Sequence, residues 1–397
     1  MNILMLSREY PPRIYGGAGV VVDQLSRALA RRASVEVRCF GPDARATEGA
    51  DARSGPGLTV REYGPWDRLD AGPEARYAAA LGALSVDLAM ARDPVKADVA
   101  HCHTWYVALG GVLVRELFDI PLVVTLHSLE PLRPWKAAQL GGGYAVSSWV
   151  ERAAVERAER VIAVSERMRQ DILENFRVPP DRVGVVHNGV DAEAFRRTEQ
   201  RDALARYGVR PPYVLFVGRI SEQKGIFPLL EAAGALPDAV QLVLCAASPD
   251  TPELESRLRA AVATRPRVRW IDAMLPVEEV VQLYSHAALF VCPSIYEPFG
   301  LINLEAMACQ TAVVATSVGG IPEVVLHGET GWLVPPGDPA ALAGALGRLL
   351  DDPDRTAAFG RAGRARVEAL FSWDRIADRT LRVYEEAIEA HRSASPR

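Results

Sequence analysis

The sequence predicts an α/β protein with two doubly wound parallel sheets, one in each half of the chain. Short and almost continuously apolar runs, such as Leu122–Leu126 and Leu289–Cys292, are typical of strands that are buried on both faces of a parallel sheet. These runs alternate with segments of helical periodicity, which is the pattern of a sheet covered by helices. Because the scheme starts again near residue 213, we expect two domains of one architecture.

Composition excludes several functional classes. The chain has 397 residues, which suggests two or three domains with sizeable cores. Its net charge is −5 and it has no basic tract, so nucleic acid or an anionic membrane is not expected as the main partner. No apolar run approaches the ~20 residues of a membrane span. The short apolar start at 2–6 is followed at once by Glu9 and prolines, unlike a signal peptide, so we expect a cytoplasmic protein.

The five cysteines are predicted to be buried thiols. Their number is odd, and most of them lie in apolar, strand-like runs. Such cysteines usually behave as small hydrophobic residues rather than as disulfides or metal ligands.

The first half begins with a strand at 2–7, a glycine-rich loop and a helix at 20–31. Gly16, Gly17 and Gly19 would let backbone amides approach an anion closely, although a plain glycine-rich turn has the same composition. The spacing differs from the dinucleotide fingerprint, whose third glycine lies further along the chain, and this makes a hydride-transfer enzyme a poor fit. Later strands are predicted at 35–40, 58–63, 99–101, 122–126, 161–164 and 183–187, with helices at 74–91, 107–118, 147–160 and up to 176.

The second half repeats this order after a predicted linker at 191–211. In open α/β sheets, ligands bind beyond the carboxyl ends of the strands, so two such sheets would form a ligand cleft between the domains. Asp352 and Asp354 are the one acid pair with a spacing suggestive of a metal, but they precede a helix, where an N-cap is expected. Strands are predicted at 213–217, 241–246, 268–271, 289–292, 312–316 and 331–334, with late helices at 339–351, 356–370 and from 372 onward.

A long polar and aromatic loop follows the strand that ends before His127. It is too long and too rich in functional groups for a plain connector. Trp135 and Tyr144 could stack on sugar faces, and Arg133 and Lys136 could meet a phosphate or hydroxyls. The alternative is a solvated loop with one aromatic anchor.

The stretch after the strand at 289–292 carries the strongest chemical signal. The chain breaks at Gly300, and a helix is predicted over 301–309. The free amides and the dipole of a helix N-terminus attract phosphate. Glu297 and Glu305 flank this turn, and because carboxylates repel phosphate, they should face hydroxyls. A ligand with phosphates and many hydroxyls is a nucleotide sugar. The alternative is an ordinary helix in which an acidic residue near the N-terminus interacts favourably with the helix dipole.

Two cations follow the first strand of the second half. Arg219 offers a forked donor and Lys224 a point charge, and both are predicted to hold a diphosphate. His101, His103 and His127 lie near strand ends but without a cysteine or carboxylate cluster, so no metal site is expected. The leaving diphosphate would then be stabilised by these cations and by helix amides, with no cofactor.

Together these motifs resemble the retaining GT-B glycosyltransferases of glycosyltransferase family 4, and the resemblance spans the whole chain. Residues 103–106, 127–136 and 141–144 are similar to the subgroup of short bacterial glycogen synthases and α-maltose-1-phosphate synthases. The family motifs are Arg8-Glu9-Tyr10-Pro11-Pro12 with Gly16, Gly17 and Gly19, then Gly218-Arg219-x4-Lys224-Gly225, Glu297-x7-Glu305 and Val318-Gly319-Gly320-Ile321-Pro322-Glu323.

The resemblance implies a GT-B architecture of two Rossmann-like domains with an interdomain cleft. Residues 1–190 would form the acceptor-side domain, on which a C-terminal helix at 372–397 packs back. Residues 191–371 would form the nucleotide-sugar-binding domain.

The resemblance also implies roles for individual residues. Where longer bacterial glycogen synthases carry a lysine in the first loop, this chain has Arg13 or Ile14. Arg13 could replace that lysine as a cation, or it could serve a phosphorylated acceptor. The implied catalytic residues are His127, Arg219, Lys224 and Glu297. The implied donor-binding residues are Gly16, Gly17, Arg219, Lys224, Glu297, Gly300, Leu301, Ile302 and Glu305. The implied acceptor-binding residues are Arg13, His103, Arg133, Trp135, Lys136 and Tyr144.

The expected activity is the transfer of glucose with retention from ADP-glucose to glucose 1-phosphate, to the end of an α-1,4-glucan, or to both. One alternative is a family 4 enzyme that uses another nucleotide sugar to build a capsular or lipid-linked glycan. Another alternative is a protein that binds sugar or nucleotide without turnover. The expected partners are the donor and acceptor sugars, with no nucleic acid or membrane, and a homodimer is possible.

Overall fold

A computed structural model of the chain describes residues 1–42, 55–66, 77–134, 136–137, 142–247 and 249–394. The chain divides into two compact units. The first comprises Met1–Asn188 together with Trp373–Arg397, and the second comprises Gly189–Ser372.

The first unit is built on a parallel sheet that has seven strands in its described residues, in the order β3-β2-β1-β4-β5-β6-β7. The order reverses between β1 and β4, which pair from Ile3 with Val99 to Ser7 with His103. Ligands of open α/β sheets bind at such a switch point, beyond the carboxyl ends of the strands. The strands are β1 (Asn2–Ser7), β2 (Ser34–Phe40), β3 (Leu58–Tyr63), β4 (Val99–His103), β5 (Leu122–Leu126), β6 (Arg160–Ala163) and β7 (Val183–Val185).

The second unit has its own parallel sheet, with six strands in the order β10-β9-β8-β11-β12-β13 among the residues that are described. Its switch point lies between β8 and β11, where Leu289 pairs with Val214. The strands are β8 (Tyr213–Arg219), β9 (Gln241–Ala247), β10 (Val268–Ile271), β11 (Leu289–Cys292), β12 (Val313–Thr316) and β13 (Gly331–Val334).

Helices cover the sheets because the strand side chains are apolar on both faces and must be buried on both. In the second unit, apolar side chains of the helices Ile226–Ala232 and Pro339–Leu350 join those of β8 and β9 in one core. The helices of the first unit are Gly17–Ala30, Ala78–Arg92, Ala108–Phe118, Gly143–Arg157, Glu166–Asn175 and Trp373–Ala394. Those of the second unit are Asp202–Tyr207, Ile226–Ala232, Pro252–Ala263, Val277–His286, Leu301–Ala308, Ile321–Val324, Pro339–Leu350 and Pro353–Leu370.

The last helix, Trp373–Ala394, belongs to the first unit. Its buried side chains recur every three or four positions and so form one face of the helix. Asp374 at its start forms ion pairs with Arg31 and Arg32 at 2.9 and 3.0 Å. The buried residues of the helix are Trp373, Ile376, Ala377, Thr380, Tyr384 and Ala387.

The two parallel, doubly wound sheets confirm the predicted fold class. The strand at Leu58–Tyr63 has its predicted bounds, and Asp352 caps a helix as predicted, because its carboxylate accepts a hydrogen bond from Arg355 N at 3.1 Å. All five cysteines are buried and free, as expected. Within the described ranges, no helix combines the length and the apolar character needed to cross a membrane.

Several predictions about element bounds are wrong. The predicted linker at 191–211 contains the helix Asp202–Tyr207, whose Ala203 and Leu204 are buried, so its apolar face was overlooked in a short, charge-rich segment. The strands β4 and β8 run two residues further than predicted, to His103 and Arg219. The strands were predicted from apolar runs alone, so their polar last residues were left out.

Candidate active site

A tight turn carries Lys224 away from the end of β8. Residues Glu222–Lys224 form a single 3-10 turn, and Gly225 follows with a φ of +66°. A Cβ at Gly225 would lie 1.9 Å from the carbonyl oxygen of Pro293. Glycine therefore allows this turn to lie directly against the loop after β11, where Ile295 N donates to Gln223 O at 2.7 Å.

Lys224 and Glu297 form a largely buried ion pair. The Lys224 Nζ lies 2.6 Å from Glu297 Oε2, which also accepts the hydroxyl of Ser294 at 3.1 Å. Burial disfavours the Lys224 ammonium, but the adjacent Glu297 carboxylate outweighs this effect and raises the pKa of Lys224. Only 7% of the Glu297 surface is exposed, so the pair is shielded from solvent. Lys224 is thus a fixed positive charge at the edge of the second sheet.

Arg219, the last residue of β8, forms an ion pair with Asp250. Asp250 follows the neighbouring strand β9, and its backbone N donates to Ile220 O at 3.0 Å, which fixes the two strand ends together. Sequence reasoning missed Asp250. The available signal was its position just past a strand adjacent to β8, since carboxyl ends of neighbouring parallel strands meet at one edge.

The predicted phosphate-binding turn has the geometry of an open helix N-terminus. Gly300 precedes the helix Leu301–Ala308 with a φ of +98°, which favours glycine. Leu301 and Ile302 are the first two helical residues, and amides at these positions have no acceptor within the helix. The turn can therefore offer backbone donors to an anion.

Glu297 is held in place by a second glycine-rich turn. Gly319 has a φ of +56°, and a Cβ there would lie 1.8 Å from the backbone oxygen of Glu297. The neighbouring Gly320 N donates to that same oxygen at 3.1 Å. The predicted motif at 318–323 thus supports the Glu297 loop through backbone contacts.

Glu305 lies four residues into the helix and has a different environment. The hydroxyl of Tyr284 donates to its Oε2 at 3.0 Å. Burial raises the pKa of Glu305 to about 7, and the hydrogen bond from Tyr284 only partly offsets this effect. Tyr284 is a further residue that sequence reasoning missed, because it belongs to the distant helix Val277–His286.

In the first unit, the glycine-rich loop after β1 folds around Glu9. Its Oε2 accepts hydrogen bonds from the backbone N of Tyr15 and of Gly16, both at 2.8 Å. A Cβ at Gly16 would meet no atom within 4 Å, so this part of the loop is open, whereas one at Gly19 would lie 2.7 Å from Glu9 Cβ. Gly17 begins the following helix. The loop therefore places Gly16 and Gly17 at the carboxyl end of β1.

Arg13 is held on this loop by an ion pair with Glu62 of β3. About half of its side-chain surface is exposed, so the guanidinium remains accessible to solvent.

Three histidines cluster at the ends of β4 and β5. His103 Nδ1 lies 3.0 Å from His127 Nε2, and His101 makes hydrogen bonds of 2.7 Å to Tyr384 and to Thr125. Burial lowers the pKa of His127 to about 4 and that of His101 to about 3, and it also lowers the pKa of His103 well below its usual value. All three rings are neutral near pH 7.

Thr104, directly after β4, has a backbone conformation that is rare for a β-branched residue, with a φ of +70°. Among the described residues, its buried hydroxyl oxygen has no hydrogen-bond partner. Strained residues of this kind cluster at functional sites, where the surrounding structure holds them.

The loop after His127 is tied to the protein through Glu130. Arg133 Nη1 donates to Ser128 Oγ at 3.0 Å and lies 3.9 Å from Glu130 Oε1. The Tyr144 hydroxyl donates to the backbone oxygen of Glu130 at 2.6 Å. Arg133 and Tyr144 are thereby anchored to one segment. Lys136 N donates to Arg133 O at 2.9 Å, and Trp135 lies outside the described residues.

Beneath this loop lies a pair of buried carboxyl groups that the sequence did not indicate. Glu130 Oε2 accepts the hydroxyl of Ser147 at 2.7 Å, and Glu151 Oε2 accepts the backbone N of Glu130 at 2.9 Å. Burial, reinforced by the neighbouring Glu130, raises the pKa of Glu151 to about 8. Glu151 is therefore mostly protonated at neutral pH.

The structure thus brings predicted site residues together within each unit. In the second unit, Lys224 and Glu297 are in contact, and Arg219, Gly300 and Glu305 lie on neighbouring strand ends or on the helix that follows. In the first unit, His103 contacts His127, and Arg133 and Tyr144 share Glu130.

Two family models match the chain, and together they cover most of its length. The model described as Glycosyltransferase Family 4 matches residues 15–194. The model described as Glycosyl transferases group 1 matches residues 197–366.

Characterised relatives extend the match over the whole chain. An alpha-maltose-1-phosphate synthase from Mycolicibacterium smegmatis is 47% identical over 97% of this chain and 99% of its own. A glycogen synthase from Mycobacterium tuberculosis is 31% identical over 100% of this chain and 97% of its own. Among solved structures, a sucrose-phosphate synthase from Thermosynechococcus elongatus is similar with a TM-score of 0.77 and 28% identity, covering 98% of this chain and 99% of the other.

Proposed function

The chain belongs to the GT-B glycosyltransferases with a family 4 and a group 1 domain, and from that premise we propose that it moves glucose from ADP-glucose to glucose 1-phosphate with retention at the anomeric carbon. The observation that carries the proposal is the 47% identity to alpha-maltose-1-phosphate synthase, which extends over nearly the full length of both chains. The product would be α-maltose 1-phosphate.

The second unit would bind the donor. Arg219, Lys224 and the amides of Leu301 and Ile302 would hold the diphosphate, since they are the cations and open backbone donors at the carboxyl edge of its sheet. Glu297 would bind hydroxyls of the transferred glucose. Glu305, with its acceptor oxygens beside Tyr284, would bind the ribose hydroxyls.

Gly16, Gly17 and His127 of the first unit would contact the donor phosphates and the transferred sugar. The open space at Gly16 and the position of His127 at the end of β5 support this part of the proposal. His127 would act as a neutral ring, since its pKa is lowered to about 4.

The acceptor residues would also come from the first unit. Maltose 1-phosphate consists of a glucose unit joined to glucose 1-phosphate, so an enzyme that makes it by glucosyl transfer needs a site for a sugar phosphate. Arg133, Lys136 and Arg13 would supply positive charge for that phosphate, and Tyr144 and Trp135 would supply apolar faces for the sugar. The glycogen synthase relative supports a second acceptor, the end of an α-1,4-glucan.

The reaction exchanges one bond to the anomeric carbon for another. The bond between that carbon and the β-phosphate oxygen of the donor breaks, and a bond to the acceptor hydroxyl oxygen forms on the same face. The acceptor proton passes to the departing phosphate oxygen, so ADP leaves with it. Arg219, Lys224 and the helix amides would stabilise the charge that develops on this oxygen, which is electrostatic catalysis by fixed donors.

The test combines purified protein with ADP-glucose and either glucose 1-phosphate or a maltooligosaccharide, and it identifies the products by mass spectrometry. A phosphorylated disaccharide and ADP are expected. Parallel reactions with UDP-glucose and GDP-glucose establish the donor. Chain elongation without a phosphorylated disaccharide would contradict the preferred acceptor, and ADP binding without turnover on any acceptor would favour a non-catalytic binding protein.

Two further parts of the proposal concern the protein in the cell. We expect it to act in the cytoplasm, where nucleotide sugars are made. We also propose a homodimer, which sedimentation equilibrium tests: a single species of monomer mass would contradict it.

A further inference from the structure

The proposed sugar-binding residue His127 forms a hydrogen bond with a second histidine, His103. His103 is the last residue of β4, and His127 follows the adjacent strand β5 by one residue. His103 Nδ1 lies 3.0 Å from His127 Nε2, and the two rings are nearly parallel, at 19°. Only 1% of the His103 surface is exposed, whereas His127 is partly exposed.

This hydrogen bond couples the protonation of the two rings. A neutral imidazole has one nitrogen that donates and one that accepts. Because burial keeps the pKa of each ring below the neutral range, one ring must donate and the other must accept. Fixing the tautomer of His103 therefore fixes the tautomer of His127.

We infer that His103 is a positioning residue: its Nδ1–H donates to Nε2 of His127, so that His127 carries its proton on Nδ1 and can donate it in a hydrogen bond to an oxygen of the transferred glucose. This inference rests on the proposed function. It assigns His103 a role behind His127, in place of the direct acceptor contact that the family resemblance implies.

The direction of the hydrogen bond follows from the other nitrogen of His103. Its Nε2 is buried and has no hydrogen-bond partner among the residues that the structure describes. If His103 donated from Nδ1, this Nε2 would be a bare acceptor, whereas the opposite tautomer would leave a buried N–H without an acceptor. Buried N–H groups without a partner are rarer in proteins than under-satisfied acceptors, so the first arrangement is favoured.

The ring of His101 packs against the ring of His103, with their planes tilted by 43°. Their ring centroids are 4.1 Å apart. His101 is itself fixed by hydrogen bonds of 2.7 Å to Tyr384 of the last helix and to Thr125 of β5. His103 therefore contacts both a histidine that is held by other hydrogen bonds and the histidine that would meet the sugar.

Three variants distinguish a hydrogen-bonding role of His103 toward His127 from a purely packing role. His103→Leu removes the donor and keeps the bulk. His103→Asn keeps a donor, because an asparagine amide occupies the place of the histidine Nδ1. Tyr384→Phe is the matched control, since it removes a buried hydrogen bond from the same cluster without touching His127. Each variant is compared with the unaltered protein for melting temperature, for kcat and KM with ADP-glucose, and for the side-chain nitrogen shifts of His127 by NMR.

We expect His103→Leu to lower kcat by about 10–100-fold with little change in the donor KM, as the loss of a supporting hydrogen bond does at other sites. The NMR shifts should change from the Nδ1–H tautomer to a mixture. His103→Asn should recover most of kcat and the original tautomer, and Tyr384→Phe should retain both even if its melting temperature falls.

A His103→Leu variant with unchanged kcat, or with His127 still in one tautomer, would overturn the inference. An Nε2–H tautomer in the unaltered protein, or failure of His103→Asn to recover kcat, would do so as well. The NMR measurement needs no turnover, so it tests this inference even if the unaltered protein transfers no glucose. Absence of transfer in the unaltered protein would instead count against the proposed function.

Discussion

At the scale of single residues, the two glutamates of the Glu297-x7-Glu305 motif have different electrostatic partners. Glu297 is paired with Lys224 at 2.6 Å, so its carboxylate has a fixed positive neighbour. Glu305 receives one hydrogen bond from neutral Tyr284, and burial raises its pKa to about 7. One motif therefore contains a carboxylate that is paired with an ammonium group and another whose charge changes near neutral pH.

Lys224→Ala should strongly reduce glucosyl transfer without unfolding the protein. Loss of one fixed donor to a developing oxyanion typically lowers kcat by about 10²–10³-fold. The measurements are kcat with ADP-glucose and the circular dichroism spectrum. Arg259→Ala is the control, because Arg259 forms an exposed ion pair with Asp272 in the same unit. Transfer at the unaltered rate in Lys224→Ala would contradict the diphosphate role.

The affinity for ADP should fall as the pH drops below 7. If the ribose hydroxyls need the Glu305 carboxylate, the competent fraction decreases about tenfold per pH unit once the group is protonated. Isothermal titration calorimetry between pH 5.5 and 8.5 measures this change. Comparison with the Glu305→Gln variant isolates the contribution of Glu305, since the protonation of ADP itself affects both proteins equally. Equal pH dependence in the two proteins would show that Glu305 does not contact the nucleotide.

Site residues that belong to a local sequence motif could be predicted from the sequence. Site residues whose contacts depend on the tertiary fold could not. Lys224, Gly300 and Glu305 lie within recognisable strand–turn–helix patterns, so their places at the sheet edge were predictable. Asp250 and Tyr284 gain their roles only because distant segments fold against Arg219 and Glu305. A polar residue in an otherwise ordinary segment carries no periodic signal, and its partner is decided by the tertiary fold.

At the scale of elements, the second-unit site depends on glycines that let loops approach each other. Gly225, Gly300 and Gly319 all have positive φ angles. At Gly225 and Gly319, a Cβ would lie less than 2 Å from a backbone oxygen, at 1.9 and 1.8 Å respectively. These contacts set the positions of Lys224 and Glu297, so the glycines act on the site through the backbone.

A matched pair of glycine substitutions tests this account. Gly319→Ala should destabilise the protein by about 2–3 kcal/mol and lower transfer, because the new methyl group must displace the Glu297 backbone. Gly344→Ala, within the helix Pro339–Leu350, meets no atom within 4 Å and should stabilise by about 0.5–1 kcal/mol. Urea unfolding and kcat measurements compare the two. Similar effects of both substitutions would contradict the proposed backbone contact.

At the scale of the whole molecule, the chain forms two units that are not simply its two halves. The first unit takes residues from both ends, because Trp373–Arg397 returns to it after the second unit is complete. The fold class was predictable from strand and helix periodicity. The buried hydrogen bond between Tyr384 and His101 was not, since nothing in an amphipathic helix indicates which distant strand it will meet.

Removal of residues 373–397 should damage the first unit selectively. The truncation exposes the apolar surface that Ile376, Ala377 and Tyr384 cover, and it removes one of the two hydrogen-bond partners of His101. Hydrogen exchange read by mass spectrometry should therefore accelerate in peptides from β4 and β5, while those from β11 and β12 stay protected. Equal acceleration in both sets of peptides would contradict the assignment of this helix to the first unit.

The returning helix also has a consequence for how the protein is made. The ribosome completes Gly189–Ser372 before it reaches Trp373, so the second unit has all its residues while the first still lacks one helix. At about 5–20 residues per second, the first sheet waits roughly 10–40 s for that helix after its own strands have been synthesised. During this interval the uncovered apolar face is a natural substrate for chaperones, and the unit that is synthesised first is expected to mature last.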